Sequence, residues 1–369
     1  MSKTWAYTLS LTIIGLFFIS ISTLFEAQKS LGDPNFFIRK QIFWIILGII
    51  SAIITSKINL DFVRRHSFTI YLASIALLII VLIPSIGQKA LGASRWINFG
   101  FFNLQPSEFF KLAAIIFFPA LFTSENNSGF KHLLIFLLPP LFLIVIEPNL
   151  STAILIAAIV VSSYYLSGGQ LFPIFILFLL FSLLGSILIF TSPYRKARFD
   201  TLVNTQKDDN LNYHSQQIII SLSAGGLSGK GIANSEQKYK FLPKISTDSI
   251  LAIIGEETGF IGLFALTSLY LSFVSFLFKL ANIVENQFEK VLVSTFACWI
   301  AYQALINFSA IVALIPLTGV PFPFISYGGS SLLSIMIATG FIVNIEGKYT
   351  HDKKNINYRH TPHSRHRIN

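Results

Sequence analysis

The sequence predicts an all-α polytopic membrane protein, and three observations carry that prediction. Of its 369 residues 53% are hydrophobic and 37 are Phe. Only 12% are charged, where an ordinary soluble domain carries about 25%. The apolar residues also fall in repeated runs long enough to cross ~30 Å of hydrocarbon, which takes about 20 helical residues. These features exclude a soluble enzyme, a disordered chain and a disulfide scaffold. The single cysteine, Cys298, lies inside an apolar run, so neither an intrachain disulfide nor a Cys-based metal cluster is expected.

Ten runs are expected to span: residues 5–24, 38–56, 68–84, 105–122, 132–147, 150–167, 171–191, 248–278, 291–313 and 327–345. The first lacks a following small-residue cleavage site and reads as a retained helix rather than a signal peptide. Glu147, Pro148 and Asn149 make a tight turn between the fifth and sixth. One large loop, about 192–247, separates the seventh from the eighth. The expected organisation is a ten-helix membrane domain over 1–345 and a basic tail over 346–369 with the composition of a disordered arm.

An even number of spans puts both termini on one face, and the Lys/Arg bias of short loops decides which. Lys3, Lys57, Arg64, Arg65, Lys131, Lys279, Lys290 and the tail lie on one side; Lys29, Arg39, Lys40, Lys89 and Arg95 lie on the other. The long loop is set aside, because long loops translocate largely regardless of charge. The bias predicts cytoplasmic termini and an extracytoplasmic large loop. The tail, with Lys353, Lys354, Arg359, Arg365 and Arg367, suits either anionic lipid or solvent. Its His360, His363 and His366 are too irregularly placed for a metal site.

Ionisable groups inside spans are costly and call for a function or a partner. Lys111 follows Glu108 by three positions, so the two share a helix face and can pair, either to fix packing or as part of a site. The eighth run opens with Ser246-Thr247-Asp248 and continues with a stripe of small residues, Ala252, Gly255, Gly259 and Gly262, which allows another backbone to approach closely. Asp248, at the water boundary of that seam, reads as a general base raised by partial desolvation, or Ser246, Thr247 or Asp248 simply caps the helix. Glu256 and Glu257 are adjacent and cannot both face one partner; Lys111 is a cation that one of them can share with Glu108.

The large loop has a basic start (Arg195, Lys196, Arg198), an acidic middle (Asp208, Asp209), a glycine turn from Gly225 to Gly231 that contains Lys230, and a second basic run (Lys238, Lys240, Lys244). Glycines with a lysine read as an anion cradle of backbone amides or as a flexible turn. The spacing is not that of a nucleotide P-loop, and Gly231 stands where a magnesium-binding hydroxyl would be needed. Near the other end Pro316, Gly319, Pro321 and Pro323 interrupt the chain before Phe324-Ile325-Ser326-Tyr327-Gly328-Gly329-Ser330-Ser331. Broken backbone at membrane depth lines a cavity or is buried in protein, so this is a second candidate wall of a site, or else an interhelical loop.

Taken together, these segments resemble the SEDS family of bacterial shape, elongation, division and sporulation proteins, typified by FtsW and RodA. The resemblance covers most of the chain: Gly92-Ala93-Ser94-Arg95-Trp96-Ile97, Gln105-Pro106-Ser107-Glu108-Phe109-Phe110-Lys111-Leu112, Glu147-Pro148-Asn149-Leu150-Ser151-Thr152-Ala153, the glycine turn, Asn234-Ser235-Glu236-Gln237-Lys238, Leu242-Pro243 to Thr247-Asp248, Gly255-Glu256-Glu257-Thr258-Gly259-Phe260, and Pro323 to Ser331. It implies a peptidoglycan glycosyltransferase that polymerises lipid II at the outer face of the bacterial cytoplasmic membrane, for cell division or elongation. Its implied partners are lipid II and the nascent glycan, a class B penicillin-binding protein, other division or elongation proteins and membrane lipids, with no nucleic acid. The family's essential aspartate falls on Asp248, which turns the balance there toward the general base, with inversion at the anomeric carbon. Its intramembrane pair falls on Glu108 and Lys111.

Candidate groups for the substrate pyrophosphate and sugars are Arg95, Arg195, Arg198, Lys230, Lys238, Lys240, Ser326 and Ser330. No protein metal site is expected, and a role for Mg or Mn is left open. Two positions depart from the family's usual pattern: Asn149 stands in a run that commonly reads Pro-Asp-Leu-Gly-Thr, and Ser249 replaces an aromatic. Residues 234–238 and 92–96 are similar to the division-type FtsW branch, residues 319–324 to RodA, and the balance leans to FtsW.

Two other functions fit the composition. A lipid II flippase needs a cavity opening to both leaflets and usually shows inverted repeats; no clear repeat is seen. A non-enzymatic division scaffold recruiting a transpeptidase would leave Asp248, Glu108 and Lys111 without a purpose.

Overall fold

Pro106–Phe122 is the helix around which the molecule is built, and nearly every one of its side chains is buried. A helix apolar all round, opened by a proline at its first turn where no amide partner is lost, belongs in a bundle interior. In the computed structural model, which describes all residues except 1, 85, 91–92, 101, 125–128, 192–209, 238–248 and 360–369, this helix is α5. The elements before it are α1 (Lys3–Leu31), α2 (Phe36–Thr55), α3 (Leu60–Arg65), α4 (Ser67–Leu82), β1 (Gly87–Ala90), β2 (Ala93–Asn98) and β3 (Asn103–Leu104). After it come α6 (Phe130–Ile146), α7 (Leu150–Leu166), α8 (Leu171–Thr191), α9 (Asn210–Gly225), α10 (Ile250–Ile283), α11 (Gln287–Ile311) and α12 (Gly329–Arg359).

Two apolar clusters meet on α5. One joins Leu112, Ile115 and Ile116 to residues of α1, α2, α10, α11 and α12; the other joins Phe110, Phe117 and Phe118 to α4, α6 and α7. Among the described residues five helices are long and apolar enough to cross a membrane: Lys3–Leu24, Phe36–Thr55, Ile250–Ile283, Gln287–Ile311 and Gly329–Thr350. Shorter apolar helices are Ser67–Leu82, Phe130–Ile146, Leu150–Leu166 and Leu171–Ile187. On α8, Phe172, Phe175, Phe178 and Leu183 stand exposed. Such a surface suits lipid and not water.

The stretch between α4 and α5 is not plain loop. β1 and β2 pair antiparallel (Gly87 opposite Ile97), and β2 pairs with β3 (Ile97 opposite Leu104). β3 ends two residues before α5, so this small sheet sets where α5 begins.

The small-residue stripe of α10 does admit another backbone, and the helix breaks there. Gly259 has φ 68° and ψ −165°. The turn after α9 fills the break: Phe260 and Ile261 donate their amides to the carbonyls of Gly226 and Leu227, while Lys230 and Gly231 donate to those of Glu256 and Glu257. A Cβ on Gly229 would stand 2.2 Å from the Glu257 carbonyl oxygen and one on Gly225 2.1 Å from that of Gly255. Before the break every residue from Ile250 to Glu257 is buried, whereas Phe260, Ile261 and Phe264 beyond it are exposed.

The tail expected to begin at 346 is helical at first, since α12 continues to Arg359. Specific contacts hold its start. The Glu346 carboxylate accepts the amides of Lys3 and Thr4 (2.7 and 3.0 Å), two otherwise unpaired donors at the start of α1. Lys348 pairs with the buried Glu289 at 2.7 Å. The beginning of α1 therefore lies beside α12 at Glu346.

Candidate functional site

The first turns of α5 carry the expected ion pair. Lys111 Nζ lies 2.8 Å from Glu108 Oε2, with side-chain exposures of 1% and 3%. The spacing of three residues on one helix brings the two groups together, and α11 completes the cluster. Lys111 Nζ donates to Gln303 Oε1 at 3.1 Å, Trp299 Nε1 donates to the same oxygen at 2.7 Å, and the ammonium sits 5.4 Å from the Trp299 ring centre. Gln303 Nε2 in turn donates to the Pro321 carbonyl at 2.8 Å, and Asn307 Nδ2 to that of Val320 at 2.8 Å. The proline-broken stretch before α12 is thus pinned to the ion pair through one glutamine. A buried charge pair holds better when its remaining hydrogen-bonding capacity is used; Gln303 takes a second donor of Lys111, and Trp299 holds Gln303 in place.

The same end of α5 is tied to α12 through Ser330. Its Oγ accepts the Gln105 amide at 3.0 Å and donates to the Asn103 carbonyl at 3.3 Å. Ser326 Oγ accepts the Phe322 amide at 2.9 Å. Both serines are buried, and both hydroxyls are engaged with backbone rather than held open.

Arg95, on β2, reaches the turn between α6 and α7. Its Nε donates to the Glu147 carbonyl at 3.0 Å and its Nη2 to that of Pro148. The Glu147 side chain, 1% exposed, has no hydrogen-bond partner for either carboxylate oxygen among the described residues. Burial in this turn pushes its carboxyl up to about 8, against the opposing pull of the Arg95 charge. Asn149 is buried and accepts from Thr152 Oγ1 at 2.8 Å.

Glu256 is another buried carboxylate, and four donors converge on it: Ser221 Oγ (3.1 Å), Lys230 Nζ (3.3 Å), Ser235 Oγ (2.6 Å) and the Glu236 amide (3.1 Å). Lys230 also lies 3.1 Å from Glu236, and these two carboxylates, Glu236 first, raise its ammonium above the usual lysine range. This decides two points that the sequence left open. The glycine turn is not an anion cradle here, because the amides of Gly229, Lys230 and Gly231 donate to the carbonyls of Gly225, Glu256 and Glu257. Nor does Lys111 share either α10 carboxylate: its contacts are Glu108, Gln303 and Trp299, and Glu256 takes Lys230.

Asp248, Arg195, Arg198, Lys238 and Lys240 lie outside the described residues. The N-cap position of α10 falls on Ser249, which is buried; the capping reading of Ser246, Thr247 or Asp248 lies outside the described residues. Sequence reasoning missed Gln303 and Trp299. The available signal was two amides, Gln303 and Asn307, spaced by one helical turn within an apolar run. Among the described residues no three His, Cys, Asp or Glu side chains stand together as a metal site, and no step below is routed through a metal ion.

Comparison with known proteins gives concordant results. A family model for FtsW, RodA and SpoVE, described as "Cell cycle protein", matches residues 1–351. A Trichlorobacter lovleyi protein named "Probable peptidoglycan glycosyltransferase FtsW" is 31% identical over 348 residues, 91% of this chain and 90% of that protein. An Escherichia coli O6:H1 protein of the same name is 32% identical over 350 residues, 92% and 84% of the two chains. Among solved structures, a chain from a peptidoglycan synthase complex, described as coordinating polymerization and crosslinking, superposes with TM-score 0.76 at 21% identity, covering 94% of this chain and 97% of that one. Thermus thermophilus rod shape determining protein RodA superposes with TM-score 0.68 at 19% identity, covering 94% and 96%. At such identities the structural likeness speaks to the fold alone.

Proposed function

Because the chain belongs to the FtsW, RodA and SpoVE family of cell cycle proteins, we propose that it is a peptidoglycan glycosyltransferase of the bacterial inner membrane, polymerising lipid II for division or elongation. The observation that carries this reading is likeness along almost the whole chain to proteins bearing that activity in their names. The FtsW-type role is favoured because the curated relatives quoted above carry that name. Both termini are taken as cytoplasmic from the Lys/Arg bias, which puts the segment before α10 on the outer face. The membrane domain is taken to end near 345, with the tail beyond.

In the proposed reaction Asp248 accepts the proton of a sugar hydroxyl on the acceptor lipid II. The freed oxygen attacks the anomeric carbon of the growing strand, a new glycosidic bond forms, and the bond to the polyprenyl pyrophosphate breaks on the opposite side. One displacement inverts that carbon. The electron pair leaves with the pyrophosphate, whose growing charge needs fixed cations; Arg195, Arg198, Lys238 and Lys240 are the candidates. Arg95 and Lys230 are weaker ones, since each is engaged with protein oxygens. The ion pair of Glu108 and Lys111 acts as a positioning element, holding α11 and the stretch before α12 against α5. A class B penicillin-binding protein would cross-link the product, a pairing supported by the polymerization and crosslinking ascribed to the structurally similar complex.

The test is to purify the protein with its cognate transpeptidase, supply labelled lipid II and compare wild type with Asp248→Asn. Glycan polymer from wild type alone supports the reading. Normal polymerisation by Asp248→Asn removes the base. If neither polymerises while reconstituted wild type moves lipid II between leaflets, the transport reading replaces this one.

A further inference from the structure

At the end of α5 remote from Gln105, a cavity of about 720 Å³ opens between α3, α4, α5 and α6. That volume is within the range of small-molecule sites, and its lining has two chemical halves. Phe117 and Phe136 supply an aromatic wall; Arg64, Arg65 and His132 supply cations or donors, and Asp61 is the one carboxylate among the described lining residues. Arg64 is only partly engaged, donating to the Thr123 carbonyl at 3.3 Å and lying 5.8 Å from the Phe288 ring centre. Arg65 is exposed. His132 Nδ1 is enclosed without a hydrogen-bond partner among the described residues. Phe62 and Phe68, on the same end, are 57% and 47% exposed, so the cavity mouth continues into apolar surface.

We propose that this cavity binds an anionic phospholipid, with its phosphodiester between Arg64 and Arg65, in reach of His132, and an acyl chain against Phe117 and Phe136. The two guanidinium groups outweigh Asp61, which favours an anion. The aromatic wall and exposed phenylalanines favour one that carries a hydrocarbon chain over a soluble phosphate. On the orientation proposed above, this end faces the cytoplasmic leaflet, where anionic lipids attract basic residues next to membrane helices. The site is distinct from the segment assigned to catalysis and does not rest on the glycosyltransferase reading.

The test uses the full chain purified in detergent, with retained lipid read by native mass spectrometry and thermal unfolding read in parallel. The probes are phosphatidylglycerol, phosphatidylcholine and inorganic phosphate. Wild type is expected to retain phosphatidylglycerol in preference to phosphatidylcholine. Arg65→Glu should lower that retention about fivefold or more, the effect of losing at least one basic residue at an anionic surface. Lys57→Glu, an exposed charge reversal in the neighbouring loop but outside the cavity, should leave it unchanged. Equal loss in both variants would reduce the effect to general surface charge and overturn the site. Displacement of the lipid by millimolar inorganic phosphate would overturn the lipid in favour of a soluble anion, and equal retention of the two lipids would overturn the recognition altogether.

Discussion

Lys111 holds Glu108 at 2.8 Å with both side chains almost wholly removed from solvent, and the same ammonium reaches Gln303 across to α11. Removing one member of such a pair leaves the other charge buried and uncompensated, at a cost of about 3–5 kcal/mol. Lys111→Met and Glu108→Gln are each expected to lower thermal stability in detergent by that order. The double variant should recover most of the loss, since two neutral groups bury more cheaply than one charge. Polymerisation of lipid II is expected to stay low in the double variant despite the recovered stability, because Gln303 has lost the donor that ties it to α5 and keeps only Trp299, on its own helix. Recovery of activity together with stability would reduce the pair to packing.

Two glycines in one turn should respond differently to the same substitution. Gly226 has φ 53° with open space where a Cβ would stand, while Gly229 has φ 80° and its Cβ would meet the Glu257 carbonyl oxygen at 2.2 Å. Gly226→Ala bears only the left-handed backbone cost, ~1 kcal/mol. Gly229→Ala adds a clash with backbone that cannot swing aside, and is expected to cost clearly more. Thermal melts of the two variants, with protease cleavage between α9 and α10 as a second readout, check the order.

Glu256 rather than Lys230 should dominate the stability of the seam between α9 and α10. Its buried carboxylate collects four donors, and Glu256→Gln sets an amide against hydroxyls and an amide that had pointed at charge, a loss of about 3 kcal/mol. Lys230→Met should destabilise less, because its ammonium is partly exposed. Its KM for lipid II should be unchanged, since the ammonium is occupied by Glu236 and Glu256. A rise in KM without loss of stability would return Lys230 to the list of substrate ligands.

Glu147 predicts a pH dependence of stability. Its carboxyl sits at about 8 in the folded protein, while an unfolded glutamate lies near ~4.3. The folded state therefore keeps a proton that the unfolded chain has released. This contribution is fully present below the unfolded value, shrinks as pH rises, and is gone above about 8. Thermal midpoints measured from pH 5 to pH 9 should fall through this window for the wild type. Glu147→Gln, which cannot ionise, should flatten the profile by removing this group's share.

How far the sequence reached varied with the range of the interaction. The pairing of Glu108 with Lys111 was legible because three residues on a helix fix neighbours whatever the rest of the fold does. The α10 stripe was legible for the same reason, as a period of small residues. What packed against it was not: the turn from Gly225 to Gly231 reads as a cradle or, more commonly for such glycines, as a plain turn. Only its insertion at Gly259 shows its amides donating to α10 carbonyls. Arg95 looked like a free outer cation, yet a strand pairing places it on the carbonyls of Glu147 and Pro148.

That this is a polytopic helical protein, which helices are apolar and which family's motifs it carries could all be read along the chain. Those properties follow from hydropathy and from periodicity within single segments, and the cost of polar groups in lipid makes them hard to disguise. The tertiary structure alone decided which partner each buried charge takes: Gln303 for Lys111, Lys230 for Glu256, the amides of Lys3 and Thr4 for Glu346. A charge in a low-dielectric interior must be matched by whatever lies within about 3 Å of it, and residues 26, 192 or 343 positions apart become such neighbours only when the helices pack.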